Sequence, residues 1–351
     1  MTAPLVTIGV PVYRGRDTLP GLLECLRTQT YENLDILLSI DANDQPSAEA
    51  AAPILAKDPR IRIVVQPVRL GWAGNTDWTM KNCRGDFYIY QQHDDRVSPT
   101  YVADLVAAAA RWPDSSLCFS TLRYTGDRSW DVPVPPLLGD SVARVRSYLR
   151  RLDWVPFRGL VRTTALDRTA GLLLSDFDPF DSLGTEIRFM AELARLGTFR
   201  FVAGPIYFKR WDGNNLSAKR DGWSPAHRLR ATACWMAWMV EAVVPAGRTL
   251  DERRNLFAET VERFIGRNDG FRWAARILRH ELGAGTPLRM IHTQLRRRPP
   301  PPGLGPLGAA ERAELLHLGM DYLVAGRRFD PVASLGRSWQ ELETGLKRRY
   351  G

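Results

Sequence analysis

The sequence has few cysteines and few histidines, four of one and five of the other in 351 residues. Cys25, Cys83, Cys118 and Cys234 are scattered, and no C-x-x-C pair occurs. The usual zinc and thiol-redox motifs are therefore excluded, and reduced, partly buried thiols are expected. Long apolar runs are missing too. The nearest candidate, Ala231 to Ala246, is interrupted by Glu241 and reaches Pro245. Nothing attains the roughly 18 uncharged apolar residues of a membrane-spanning helix. The opening MTAPLVTIGVPVYRGRD lacks a basic stretch followed by a long apolar one, so it does not read as a secretion signal. A cytoplasmic protein is expected.

Basic charge is present in excess. Lys and Arg number 48 against 39 Asp and Glu, a formal charge of +9. Such a balance invites a nucleic acid or an anionic membrane as partner. Its placement narrows that reading. Residues 1–215 carry 25 basic and 25 acidic residues, so the whole excess lies beyond them. At 44% hydrophobic and 25% charged the composition is otherwise that of a globular protein with a sizeable core. Two regions are expected, residues 1–217 and a basic, Arg- and Trp-rich helical region over 218–351. A proline-rich break at 299–306 interrupts the second.

Short apolar strands alternate with helical patterns along the first region. Leu5–Val12, Leu34–Ile40, Ile61–Gln66 and Phe87–Gln91 read as buried strands. Between and after them, helices are expected from Asp17 as N-cap, over Ala48–Ala56, over Asn75–Cys83 and over Val102–Trp112. Further strands are expected near Leu117–Leu122 and Thr198–Val202, with a helix over Thr185–Leu196. This is the pattern of an α/β fold, a mostly parallel sheet with flanking helices. Ligands in such sheets bind at the carboxyl ends of the strands. Pro11 and Tyr13, Asp41, and Asp94 with Asp95 all lie at such ends.

Each of these residues has a bland reading and a chemical one. Asp94 and Asp95 are an acidic turn, or a pair of oxygen ligands for one hard divalent cation. Asp41 is a turn or cap residue, or an acceptor for a base or ribose. Glu186 opens a helix, where the dipole already stabilises a carboxylate; alternatively it removes a hydroxyl proton. Lys209 and Arg210, within YFKRWDGNNLS, are a solvated loop or a cationic cradle for a pyrophosphate.

Taken in order, these segments resemble the family 2 glycosyltransferases. The likeness rests on VTIGVPVYRGRDTLPGLLECLRTQTYENLDILLSID, then RLGWAGNTDWTMKNCRGDFYIYQQHDD, then GTEIRFMAELARLGTFRFVAGPIYFKRWDGNNLS. It covers roughly residues 4–217, and each motif is weak alone while their order is specific. The resemblance implies a GT-A fold and an inverting transfer from a nucleotide-diphosphate sugar to an acceptor hydroxyl, with Mn²⁺ or Mg²⁺ as cofactor. It implies that Pro11 and Tyr13 line the nucleotide pocket, that Asp41 binds the base, and that Arg69 contacts base or phosphates. Asp94 would sit near the donor ribose or sugar, Asp95 would ligate the metal, and Arg210 would contact the diphosphate. Glu186 stands at the position of the catalytic base, with ten residues between it and Gly197.

Three departures stand out. Gln92 occupies a place where the family often has an acid. The base position carries Glu in place of the usual Asp. Gly74 precedes Asn75 where the family often has Arg. Of the processive members' Gln-x-x-Arg-Trp motif only Arg210-Trp211 remains, which disfavours a polysaccharide synthase. The acceptor class is a glycan, lipid-linked or small-molecule hydroxyl, in bacterial glycan or glycoconjugate synthesis. The basic third reads first as a helical cap, then as an acceptor or anionic-membrane contact on the inner face. Nucleic acid ranks last, since no recognition motif accompanies the charge. The rival of another class is a non-catalytic nucleotide-sugar-binding protein on the same fold. A nucleotidyltransferase is disfavoured by the missing glycine-rich phosphate loop.

Overall fold

The computed structural model describes residues 3–126, 128–175, 178, 180–211, 223 and 225–267. They fall into two compact units, one ending at Asn215 and the other containing the chain from Leu216 on.

The first unit is built on a nine-stranded sheet. Its first half runs β1 (Val6–Val12), α1 (Leu19–Arg27), β2 (Leu34–Ile40), α2 (Gln45–Leu55), β3 (Ile61–Val65), α3 (Gly71–Lys81) and β4 (Phe87–Tyr90). All seven residues of β1 and all four of β4 are buried, as parallel strands covered on both faces must be. Helix α1 turns Leu19, Leu22, Leu23 and Leu26 inward, each worth about 1.5–3 kcal/mol of burial. Its N-cap is Thr18 with no side-chain cap bond, so the expected cap at Asp17 is corrected by one residue.

The second half runs β5 (Arg96–Val97), α4 (Tyr101–Arg111), β6 (Ser115–Thr125), β7 (Trp130–Val132) and α5 (Ser141–Arg151). A 3₁₀ turn (Val155–Arg158), β8 (Leu160–Arg162), α6 (Thr163–Leu166), α7 (Thr185–Leu196) and β9 (Thr198–Arg210) complete it. The sheet order is β3-β2-β1-β4-β8-β6-β9-β5, with β7 paired to β6. Strands β1 to β4 pair in parallel, as do β6 and β9. The short β5, β7 and β8 run antiparallel to their neighbours.

Strand β9 departs most from expectation. It continues eight residues past Val202, through a register shift that pairs Val202 with Ser120 and Ile206 with Thr121. Tyr207, Lys209 and Arg210 are therefore strand residues, and of the two readings weighed for them the solvated loop does not hold at these positions. Residues 212–217 of that motif lie outside the described residues.

In the second unit, α8 (Pro225–Val243) and α9 (Leu250–Arg267) are helical. Thr249 and Glu252 form a reciprocal cap at the start of α9, through Glu252 N–H to Thr249 Oγ1 at 3.1 Å and Thr249 N–H to Glu252 Oε2 at 3.2 Å. The proline-rich break and Trp273 lie outside the described residues. Among the described residues no helix is long and apolar enough to cross a membrane, and Cys25, Cys83, Cys118 and Cys234 form no disulfide.

Candidate functional site

The carboxyl ends of β1, β2 and β4 carry three loops that hold one another. Asp44, after β2, accepts from the Arg14 N–H at 2.6 Å and from Ser47 Oγ at 2.7 Å. Ser47 Oγ in turn accepts from the Gly15 N–H at 2.8 Å. The loop after β1 is thus pinned to the start of α2. His93, after β4, meets that same loop through Nδ1 and Thr18 Oγ1, 2.8 Å apart. Tyr13 and the Gln92–Asp95 segment consequently belong to one constellation. Pro11 is buried inside β1 opposite Ser39.

Asp41 is 1% exposed, and both its oxygens serve the backbone. Oδ1 accepts from Leu70 N–H at 2.6 Å and Oδ2 from Gly71 N–H at 2.9 Å. A residue of β2's end therefore caps α3, satisfying donors that a helix start leaves unpaired. This explains why α3 begins at Gly71, four residues before the expected Asn75. Gly71 has φ +71°, and a Cβ there would collide with the Phe180 carbonyl. Arg69, just before the capped turn, lies between two aromatic rings, 4.5 Å from the Tyr13 centroid and 4.7 Å from that of Phe180. Phe180 is 44% exposed. No sequence signal points to it, because nothing local marks a loop residue as the partner of an arginine 111 positions away. A cation held between ring faces keeps its charge while losing mobility, which suits anion binding. Asp41→Ala should leave the buried Gly71 N–H and the half-buried Leu70 N–H unpaired and cost about 2 kcal/mol. A lower urea midpoint at unchanged slope checks this; an unmoved midpoint would show that α3 starts without Asp41.

Asp95 does not face outward. It is 1% exposed, and Oδ1 accepts from Arg210 N–H at 3.0 Å while Oδ2 accepts from Tyr207 Oη–H at 3.0 Å. Lys209 Nζ stands 3.6 Å and Arg158 Nε 3.9 Å from Oδ2. Gln92 Oε1 accepts from both cations, at 2.7 Å from Arg158 Nη2 and 2.8 Å from Lys209 Nζ. The amide thus occupies the place of the missing acid and binds the same pair of cations. Burial pushes the Asp95 carboxyl above the usual carboxylate range, against the pull of Lys209 and Arg158. Burial, with Arg158 beside it, holds the Lys209 ammonium below its ordinary value. Arg158 escaped the sequence reading; VPFRG shows a turn, and only the fold reveals what its arginine meets. Asp94, next to this cluster, is half-buried.

Glu186 opens α7, and its Oε2 accepts from Gly184 N–H at 3.0 Å. Its helix is seated on β4 by aromatic contacts. Phe189 meets Phe157 at 5.8 Å, Phe157 meets Tyr90 at 4.6 Å, and Tyr90 Oη accepts from Trp72 Nε1–H at 2.6 Å. From the other direction, the loop leading into α7 carries Phe180 to Arg69. The structure thus joins Tyr13, Asp41 and Arg69 on one side, and Asp94, Asp95 and the Arg210 backbone on another. Glu186 is tied to both through its neighbours in sequence.

Comparison with known proteins bears on family and fold. Residues 7–165 match the family model described as Glycosyl transferase family 2. An uncharacterized glycosyltransferase of Haemophilus influenzae is 30% identical over 99 residues, 28% of this chain and 39% of that protein. The chain spans less than two fifths of the length of such curated relatives. Staphylococcus aureus TarS 1–349 in complex with UDP-GlcNAc has a TM-score of 0.59 at 15% identity, over 92% of this chain and 89% of that one. The mannosyltransferase PcManGT of Pyrobaculum calidifontis, in complex with GDP-Man and Mn²⁺, has 0.52 at 14%, over 93% and 89%. At these identities the likeness is one of fold, the GT-A arrangement.

Proposed function

From the premise that the chain belongs to glycosyl transferase family 2 through residues 7–165, we propose that it moves a sugar from a nucleotide-diphosphate sugar to an acceptor hydroxyl, with inversion, in bacterial glycan or glycoconjugate synthesis. The observation that carries this reading is the joining of the Tyr13–Arg69–Phe180 stack and the Gln92–Asp95 segment at the carboxyl ends of the parallel strands β1, β2 and β4, where such strands bind nucleotides. The fold neighbours named above bind UDP-GlcNAc and GDP-Man.

Tyr13 offers a ring face to the base, and Arg69 a held cation to the phosphates. Asp41 acts through the loop it fixes, by placing Arg69. Glu186 takes the proton of the acceptor hydroxyl, whose oxygen forms the new bond to the anomeric carbon. The bond from that carbon to the diphosphate breaks on the opposite face, and the nucleoside diphosphate leaves. Arg210 meets the departing charge at the end of β9.

The donor set was weighed for Mn²⁺ or Mg²⁺. Among the described residues no group of three His, Cys, Asp or Glu side chains could hold a metal. Asp95 is occupied by its buried partners, so Asp94 is the carboxylate that fits. One carboxylate with phosphate oxygens suffices for a hard cation, which when bound neutralises charge on the leaving diphosphate. Asp94→Ala should therefore abolish the gain in donor affinity that Mn²⁺ brings, while shifting stability by no more than about 0.5 kcal/mol. Calorimetric titration of UDP- and GDP-sugars with and without Mn²⁺ checks this; metal dependence surviving the substitution would remove Asp94 from the role. The transfer itself is tested by proton NMR, through release of nucleoside diphosphate with inverted anomeric configuration in the product. A chain that binds the nucleotide sugar and never releases diphosphate is a binding protein on this fold.

A further inference from the structure

Helix α3 leaves the strand-end loops at Gly71 and reaches Asp77 six residues further on, about 9 Å along its axis. There it meets the segment that leads toward α7. Asp77 is buried, and its Oδ1 accepts from the Leu172 N–H at 2.9 Å. Its Oδ2 pairs with Lys81 Nζ at 2.6 Å. Gly171 packs against the same carboxylate. Its φ is +68°, and a Cβ there would collide with Asp77 Oδ1. Close approach and left-handed backbone both call for glycine at this position.

Residues 170–173 belong to no helix or strand, yet their four successive backbone N–H groups all donate to side chains. Ala170 donates to Glu192 Oε2 at 3.1 Å, Gly171 to Thr169 Oγ1 at 3.2 Å, Leu172 to Asp77, and Leu173 to Thr185 Oγ1 at 2.7 Å. With no ladder to place this strip, those side chains decide where it lies. Asp77 belongs to α3, whereas Thr185 and Glu192 belong to α7 and are buried. Glu192 also accepts from Arg188 Nη1 at 2.9 Å. The strip therefore ties the middle of α3 to the first residue of α7, and Glu186 comes next.

Helix α3 grips the same loop a second time, where the Ala73 N–H donates to Phe180 O at 3.3 Å. Phe180 is the ring that covers Arg69. One helix thus holds the Arg69 stack near its start and, through the strip, the turn that carries Glu186. The Lys81 side chain is 69% exposed, so its ion pair contributes little to stability. What Asp77 supplies is a fixed acceptor at the strip.

We propose that Asp77 is a positioning residue for the transfer: by holding residues 170–173 it sets where Glu186 stands relative to the donor side of the site. This rests on the transferase reading, in which Glu186 is the base. A base, the hydroxyl it deprotonates and the anomeric carbon must align, and a misplacement of about 1 Å costs about 10²-fold in rate. A carboxylate that only steadied the loop would change the melting point and leave the turnover of folded chains alone.

The test uses the full chain and two measurements. The first is hydrogen exchange read by mass spectrometry. In Asp77→Ala the amides of 170–173 and of 184–187 are both expected to exchange about tenfold faster. Asp77→Asn keeps an acceptor for the Leu172 N–H and should exchange as wild type does. Unchanged exchange over 184–187 in Asp77→Ala would overturn the link between the helices.

The second is nucleoside diphosphate release from UDP-, GDP- and dTDP-sugars, with methyl glycosides and water as acceptors, at a temperature where circular dichroism shows each variant folded. Asp77→Ala is expected to lower kcat about 10²-fold, with KM for the sugar nucleotide within about threefold of wild type. Asp77→Asn should restore most of kcat. Thr185→Val, which removes the acceptor of the Leu173 N–H, should give the same split between kcat and KM. In a Glu186→Gln background Asp77→Ala should lower kcat no further, because the two act through one group. Additive losses, or a kcat for Asp77→Ala within about threefold of wild type, would overturn the positioning role. A wild-type chain that shows the exchange link and releases diphosphate from none of these donors would uphold the link and overturn the transferase reading instead.

Discussion

Glu186→Gln is expected to lower turnover by about 10²–10⁴-fold, the usual contribution of a positioned base, and to leave nucleotide-sugar binding intact. The substitution is nearly isosteric. Its amide oxygen still accepts from the Gly184 N–H, which Glu186 now engages at 3.0 Å. What disappears is the basic carboxylate and a negative charge in the first turn of α7. Losing that charge near the helix dipole costs about 0.3–1 kcal/mol. For a domain of this size that corresponds to roughly 1–4 °C in melting point. Activity and stability should thus separate cleanly. Steady-state release of nucleoside diphosphate, read beside a thermal-shift titration of the same sugar nucleotide, makes the comparison. Turnover within a few-fold of wild type would mean that another group removes the proton.

Asp95→Ala is expected to act on folding before it acts on chemistry. The substitution removes the carboxylate that faces two buried cations, Lys209 and Arg158. It also strands the Tyr207 hydroxyl and the Arg210 N–H, both bound to it. Breaking a buried pair in this way costs about 3–5 kcal/mol, which lowers the melting point by roughly 10 °C in a domain of this size. Asp95→Asn keeps one acceptor for the Arg210 N–H and turns an amide N–H toward the Tyr207 hydroxyl, which can accept it, and should cost less. The contrast with Asp94→Ala is the informative part. If Asp94 faces the donor and Asp95 the interior, the neighbouring alanines give opposite phenotypes: one loses metal-linked affinity at normal stability, the other loses stability. A melting point within about 2 °C of wild type for Asp95→Ala would contradict the buried role.

This division between adjacent aspartates was not legible in the sequence, and the reason is physical. The frame of the fold was legible because buried parallel strands are continuous apolar runs. Leu34–Ile40 and Thr185–Leu196 fall on the expected bounds. Those patterns are local. The facing of Asp95 is decided by Lys209 and Tyr207, more than a hundred residues later, once β9 has come to lie beside β5. For the same reason Lys209, read as a loop cation, proves to be a buried partner. The start of α3 was missed because its capping group belongs to another strand. The candidate site was readable as a set of residue types at strand ends. Its wiring, Arg158 to Gln92 and Arg69 between Tyr13 and Phe180, was not, since such contacts leave no periodicity.

The basic excess also takes its place. It lies beyond residue 215, outside the unit whose carboxylates and held cations form the site. On the proposed reading the site would bind an anion through Arg69, held between two rings, and through Arg210 at the end of β9.

The most direct test of the account is a thermal-shift screen of the full chain against UDP-, GDP- and dTDP-sugars at about 1 mM, with and without Mn²⁺. A ligand present at a hundredfold its Kd stabilises the native state by about 2.7 kcal/mol, a rise of several degrees. The account predicts such a rise for at least one sugar nucleotide, larger with Mn²⁺ and diminished by Asp94→Ala. A melting point that no sugar nucleotide moves, with Mn²⁺ present, would contradict it.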